Sequence, residues 1–176
     1  IRDRYRDKII ITIRRTVDNG EFNGTEEERL ELFKKFLKIK PKFVDIEINS
    51  EISDKIIELA GIHGSKVIIS YHNFTETPPL EKLMEIGDKM IKSGADVVKI
   101  VTYARKIEDN LTILKFVSNM NFPTIAFCMG GLGKLSRIFS PLFGSFLMFA
   151  STSKGKETAP GQLTVNEIKT IWRMIR

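Results

Sequence analysis

Six short runs rich in Val, Ile and Phe, at residues 9–13, 43–48, 66–70, 96–101, 124–128 and 145–150, alternate with segments whose apolar residues recur at helical spacing. The helical segments are marked by Leu30, Phe33 and Leu37, then Ile52, Ile56 and Leu59, then Leu80, Leu83, Met84, Met90 and Ile91, then Ile107, Leu111 and Leu114. Strands apolar on both faces must be covered on both faces. The repeated strand-then-helix order therefore predicts an α/β fold with a parallel sheet flanked by helices, either an open doubly wound sheet or a closed eight-stranded barrel. Thr25 with Glu28, and Thr164 with Glu167, have the spacing of helix capping boxes, and Gly94 fits a helix stop. Val165, Ile168, Ile171, Trp172 and Ile175 form the stripe of a closing amphipathic helix. No low-complexity linker interrupts the pattern, so residues 1–176 read as a single domain.

With 42% hydrophobic and 28% charged residues, the chain has the balance of a soluble globular protein. No apolar run approaches the roughly 18 residues of a membrane span, and the longest candidate, residues 139–150, is broken by Pro141 and Gly144. The single cysteine, Cys128, lies in an apolar stretch and suits a reducing, cytoplasmic setting. The first eight residues are too charged for a signal peptide, and a chain opening on Ile1 is expected to lack its natural start. A net charge of +6, from 28 basic and 22 acidic residues, suits an anionic small molecule as well as nucleic acid. Basic and aromatic residues are not interleaved as a nucleic-acid platform requires, so neither nucleic acid nor membrane is expected as a partner.

Polar residues fall at informative places. Arg14, Glu47, His72, Lys99 and Met129-Gly130 lie in, or just after, the carboxyl ends of five different strand runs, ends that a barrel gathers at one mouth. Lys99 interrupts Asp96-Val97-Val98-Lys99-Ile100-Val101, where an amine is drawn into an apolar interior. Burial favours the neutral amine that attacks a carbonyl to form a Schiff base, whereas a lysine snorkelling to solvent or pairing with an acid is the plainer alternative. His72 follows Ser70-Tyr71 where strand gives way to loop, and an imidazole there suits proton transfer near neutral pH; a hydrogen-bonded structural histidine is the competing reading. His63, in Gly61-Ile62-His63-Gly64, reads as a surface residue at a helix exit. Arg14 and Arg137 each present a guanidinium fork that matches a carboxylate. Residues 151–162 have the composition of an active-site lid, with a plain surface loop as the alternative. The glycine-rich stretch 129–137 is neither a Walker loop nor a secure dinucleotide fingerprint, a weak nucleotide signal, and the two histidines and one cysteine fall into no metal-binding motif, so no metal is expected.

Seven segments in order resemble type I 3-dehydroquinate dehydratase, the Schiff-base enzyme of the shikimate pathway: Ile11-Thr12-Ile13-Arg14, Val44-Asp45-Ile46-Glu47, Ser70-Tyr71-His72-Asn73-Phe74, Asp96-Val97-Val98-Lys99-Ile100, Met129 through Arg137, Phe143-Gly144-Ser145 and Ala159-Pro160-Gly161-Gln162. The resemblance covers nearly the whole chain and implies a (β/α)8 TIM barrel. It implies that Lys99 forms an imine with the ketone of 3-dehydroquinate and that His72 moves the protons, giving 3-dehydroshikimate. It further implies that Arg14, Glu47, Met129, Arg137, Phe143, Thr158 and Gln162 hold the substrate, that no cofactor takes part, and that the protein is a homodimer. The family usually carries Glu four residues after the strand-end arginine to orient the histidine; here that place is taken by Asp18, and the usual lid Ser is Thr158. Six strands are visible where closure needs eight, so the first two, on the order of 50 residues, are expected to be missing from this chain. A barrel silent or weak in binding for want of those strands, and another imine-forming barrel of the aldolase type, remain the alternatives.

Overall fold

The computed structural model describes residues 6–175; of the charged opening stretch, residues 1–5 lie outside the described residues. After a 3-10 turn at Arg6–Lys8, strand β1 (Ile10–Thr12) leads through a second such turn, Thr16–Asp18, to helix α1 (Glu26–Leu37). Four more strands follow, each with a helix after it: β2 (Phe43–Glu47) and α2 (Ser53–His63), β3 (Lys66–His72) and α3 (Leu80–Lys92), β4 (Val97–Tyr103) and α4 (Asp109–Asn119), β5 (Thr124–Met129) and α5 (Lys134–Phe139). A third 3-10 turn, Ser140–Phe143, and helix α6 (Val165–Ile175) complete the order. The strands hydrogen-bond in chain order, β1-β2-β3-β4-β5, in a parallel α/β sheet. Neighbouring parallel strands need a crossover between them, and the helices supply it.

Two compact units make up the chain, the first running to Tyr71 and including Gly87–Lys99, the second comprising His72–Ile86 and everything from Ile100 onward. In the first unit β1 pairs with β2 so that Thr12 stands opposite Asp45, and β2 pairs with β3 so that Asp45 stands opposite Ile68 and Glu47 opposite Ser70. Every residue of β2 is buried, as its apolar run requires. Helix α1 begins with the full capping box, the Glu28 amide donating to the Thr25 hydroxyl while the Glu28 carboxylate accepts from the Thr25 amide. Its buried stripe is Arg29, Phe33 and Leu37, residues four apart; Leu30, which the apolar pattern puts on that stripe, is only half-buried. Helix α2 buries Ile56 and Ala60 and ends on a half-buried His63.

In the second unit Ile100, Ile113, Phe116, Val117, Ile125 and Ala126 form the core. Ile107 and Leu111 stand exposed, contrary to the helical spacing read for that segment. Two polar residues, Asp109 and Asn110, turn inward instead because each is hydrogen-bonded there. The Asp109 carboxylate accepts from the Arg105 and Lys106 amides, and the Asn110 side chain donates to the Leu132 carbonyl and accepts from the Ser136 amide. The apolar run at residues 145–150 joins no strand ladder, which leaves five strands among the described residues where the pattern suggested six. It is anchored instead by the Phe146 amide donating to Thr124, and it ends in a single bridge between Ser151 and Thr164. Helix α6 opens with the expected Thr164–Glu167 capping box.

Candidate active site

The first unit gathers charge where its sequence is most apolar. Asp45 and Glu47 are two residues apart on β2 and so project from the same face of the strand, which Ser70 shares through its register with Glu47. Lys99 is only 7% exposed, and its Nζ donates to Asp45 Oδ2 at 2.8 Å. The amine is thus both buried and acid-paired, combining the two readings its sequence position allowed. Asp45, 1% exposed, offers its other oxygen to Arg14 Nη2 at 2.9 Å and to the Ser70 hydroxyl at 2.8 Å. Arg14, two residues beyond β1, also pairs with Glu47 Oε1 through Nη1. Burial alone pulls the Arg14 pKa down, but the Asp45 and Glu47 carboxylates outweigh it and the value is raised.

Beyond Glu47 the pairing continues into α1. Glu47 Oε2 takes Arg29, Arg29 meets Glu26 at 3.2 Å, Glu26 meets Arg15 at 3.4 Å, and Arg15 Nε donates to Asp18 at 2.8 Å. Asp18 therefore sits on the 3-10 turn Thr16–Asp18 tied to its neighbour Arg15. The tight turn behind it needs Gly20, where a Cβ would run into the Arg14 carbonyl oxygen. Sequence reasoning did not single out Asp45, Ser70 or Arg29. The signal for Asp45 was an acid alternating with Glu47 inside an otherwise apolar strand. For Arg29 it was a place four residues before Phe33 and eight before Leu37 on one helix face.

The second unit holds the other residues. His72 is the last residue of β3 and half-buried, stacked on Phe74 with ring centroids 5.7 Å apart. The loop beyond it is pinned by Asn73, whose amide donates to the Val101 carbonyl and whose side-chain oxygen accepts from the Thr75 and Glu76 amides. Met129 ends β5 and is buried. Arg137, on the short helix α5, is 3% exposed; it lies over the Phe127 ring at 4.4 Å, and its Nη2 donates to the Pro160 carbonyl at 3.3 Å. Its buried Nε has no hydrogen-bond partner, and among the described residues no acid forms an ion pair with it. Burial pulls its pKa down to about 10, with Cys128 opposing only in part.

The Pro160 carbonyl also accepts from the Gly130 amide at 3.2 Å, so both ends of the glycine-rich stretch grip the loop at residues 151–162. Within that segment the Gln162 side-chain oxygen accepts from the Thr158 amide at 2.8 Å and from its hydroxyl at 3.3 Å. Residues 158–162 thus form an ordered turn. Phe143 ends the turn Ser140–Phe143 and is exposed. No group of three or more His, Cys, Asp or Glu side chains is arranged to hold a metal among the described residues. Among them, too, no helix is long and apolar enough to cross a membrane.

Residues 1–176 match the family described as type I 3-dehydroquinase. A 3-dehydroquinate dehydratase of Pyrococcus abyssi is 44% identical over 174 residues, covering 97% of this chain and 78% of the relative. One from Methanocaldococcus jannaschii is 44% identical over 168 residues, covering 94% and 76%. Among solved structures, the 3-dehydroquinate dehydratase of Geobacillus kaustophilus superposes with a TM-score of 0.86 at 26% identity, over 94% of this chain and 66% of that one.

Proposed function

Because the chain belongs to the type I 3-dehydroquinase family, we propose that it dehydrates 3-dehydroquinate to 3-dehydroshikimate through an imine on Lys99. The observation that carries this reading is Lys99 itself, an amine held in an apolar strand 2.8 Å from a carboxylate oxygen of Asp45. After handing its proton on, Nζ attacks the C3 carbonyl; water leaves, and a protonated imine remains. That cation is a far stronger electron sink than the ketone, so the C2–H bond becomes acidic enough for His72 to take its proton. The C1 hydroxyl departs as water, taking a proton back from His72, and a second water hydrolyses the imine and frees the amine.

In this reading Asp18 orients His72, and Arg137 binds the substrate carboxylate, which supplies the acceptor its buried Nε lacks. Gln162 and Thr158 carry the lid over the bound ring, Arg14 and Glu47 meet its hydroxyls, and Met129 and Phe143 line its apolar side. The working protein is a cytoplasmic homodimer in this reading, with no partner beyond its small anionic substrate. The test is borohydride reduction in the presence of 3-dehydroquinate, followed by peptide mass. A covalent increment on the Lys99 peptide, absent in Lys99→Ala and retained in His72→Ala with turnover lost, is the expected result. No increment on the parent chain, or full turnover by Lys99→Ala, overturns the mechanism.

A further inference from the structure

Helix α1 sends one residue into the charged cluster for which the chemistry above has no task. Arg29 is 0% exposed, and every part of its guanidinium is engaged. Nε donates to the Ile13 carbonyl at 2.7 Å, Nη1 donates to the Ser50 hydroxyl at 3.3 Å and to Glu26 at 3.2 Å, and Nη2 pairs with Glu47. Followed outward from Lys99, the charges alternate without a break: Lys99, Asp45, Arg14, Glu47, Arg29, Glu26. Each interior carboxylate is divided between two cations. Asp45 gives one oxygen to Lys99 and the other to Arg14, while Glu47 gives one to Arg14 and the other to Arg29.

Such division matters because attraction between charges is strong away from water. Without Arg29, Glu47 loses one of its two cationic partners, and the cation left beside it is Arg14. Every movement of Arg14 toward Glu47 is movement away from Asp45, whose hold on Lys99 then tightens. We propose that Arg29 is a positioning residue that, through Glu47, Arg14 and Asp45, governs how firmly the Lys99 amine is held and so how readily it attacks a carbonyl. The assignment rests on Lys99 being the imine-forming amine, yet its test need not use the substrate.

The experiment compares Arg29→Met and Arg29→Lys in the full chain by reductive methylation with formaldehyde and cyanoborohydride. Modification of Lys99 is read by peptide mass against the exposed Lys35 and Lys38 as internal standards. Arg29→Met should lower the Lys99 ratio by about threefold or more, the coupling expected within one charge network, and Arg29→Lys, which restores the charge, should return it to within about twofold. An unchanged ratio in Arg29→Met, or an equal loss in both variants, overturns the proposal and leaves Arg29 a purely structural anchor. If Arg29→Met does not fold by circular dichroism, Arg29→Gln is read by the same criterion, since it removes the charge but keeps a donor for Ile13 or Ser50. Borohydride trapping of 3-dehydroquinate on the parent chain separates the two readings. Failure to trap with the methylation pattern intact sinks the assigned reaction and not the positioning role.

Discussion

A guanidinium buried without a carboxylate is expensive, and Arg137 bears that cost in its own titration, pulled down to about 10 by burial. It is still charged at neutral pH, which suits a group waiting for an anion. Arg137→Ala should raise the Michaelis constant for 3-dehydroquinate by a factor of ~30 to ~150, about 2 to 3 kcal/mol, the usual loss for one partner of a desolvated charge pair. Its thermal stability should not fall by more than about 1 kcal/mol, because the substitution also removes an unpaired buried charge. An unchanged Michaelis constant takes Arg137 out of the carboxylate site. The pH dependence has a definite sign. The folded chain releases the Arg137 proton at a lower pH than the unfolded chain does, so the stability cost of this residue is present in full below about 10 and is relieved as pH rises beyond it. Substrate affinity runs the other way and should weaken as pH climbs through about 10, read as a rising Michaelis constant while the fold persists by circular dichroism. The residue types at the site were legible because a charged side chain in an apolar run stands out, as Lys99 does. Asp45 interrupts an apolar run in the same way, but its place in the cluster is visible only once its partner Lys99 on β4 is known.

At the level of elements, β2 through β5 were readable to within one or two residues, since fully buried strands must be continuous apolar runs. The stretch 145–150 has the same composition and still makes no ladder. Strand formation depends on a neighbour presenting free amide and carbonyl groups in register, which no local pattern encodes. The face of α4 was misread for a related reason: Asp109 accepts from the Arg105 and Lys106 amides just ahead of the helix, and Asn110 finds its partners at Leu132 and Ser136, distant in sequence, so that polar residues are the buried ones. The loop at residues 151–162 shows how closely one element is fitted to another. Gly161 has φ +77°, which costs a residue with a Cβ roughly 1 to 2 kcal/mol, and a Cβ there would strike the Gly130 carbonyl oxygen. Gly161→Ala should therefore open the hydrogen bond from the Gly130 amide to Pro160 and raise the Michaelis constant at least about tenfold, roughly 1.4 kcal/mol. Global stability should be nearly untouched, because residues 151–162 are mostly exposed. A variant that loses stability and keeps its Michaelis constant would mean that this turn braces the fold and does not serve the substrate.

For the molecule as a whole, the alternating charges of the first unit raise the question of whether they hold the fold together or serve the chemistry at the fold's expense. Buried ion pairs are often no better for stability than well-packed apolar side chains, whereas removing one member strands the others. Asp45 and Lys99 separate these effects, because Asp45 accepts from Arg14 and Ser70 as well as from Lys99. Asp45→Asn removes the charge that Lys99 and Arg14 share inside a unit whose β2 strand is wholly buried, and should cost about 3 kcal/mol in urea-induced unfolding. Lys99→Met leaves Asp45 with Arg14 and Ser70, fills a similar volume, and should cost less than about 1 kcal/mol or be stabilising, while abolishing imine trapping entirely. The pair of measurements has one decisive outcome. If Lys99→Met unfolds at the same low urea concentration as Asp45→Asn, the lysine is there to balance charge and its nucleophilic role loses its physical support. If the two separate as expected, the sheet tolerates an amine it does not need for stability, and the reason for keeping it lies in what that amine does to a carbonyl.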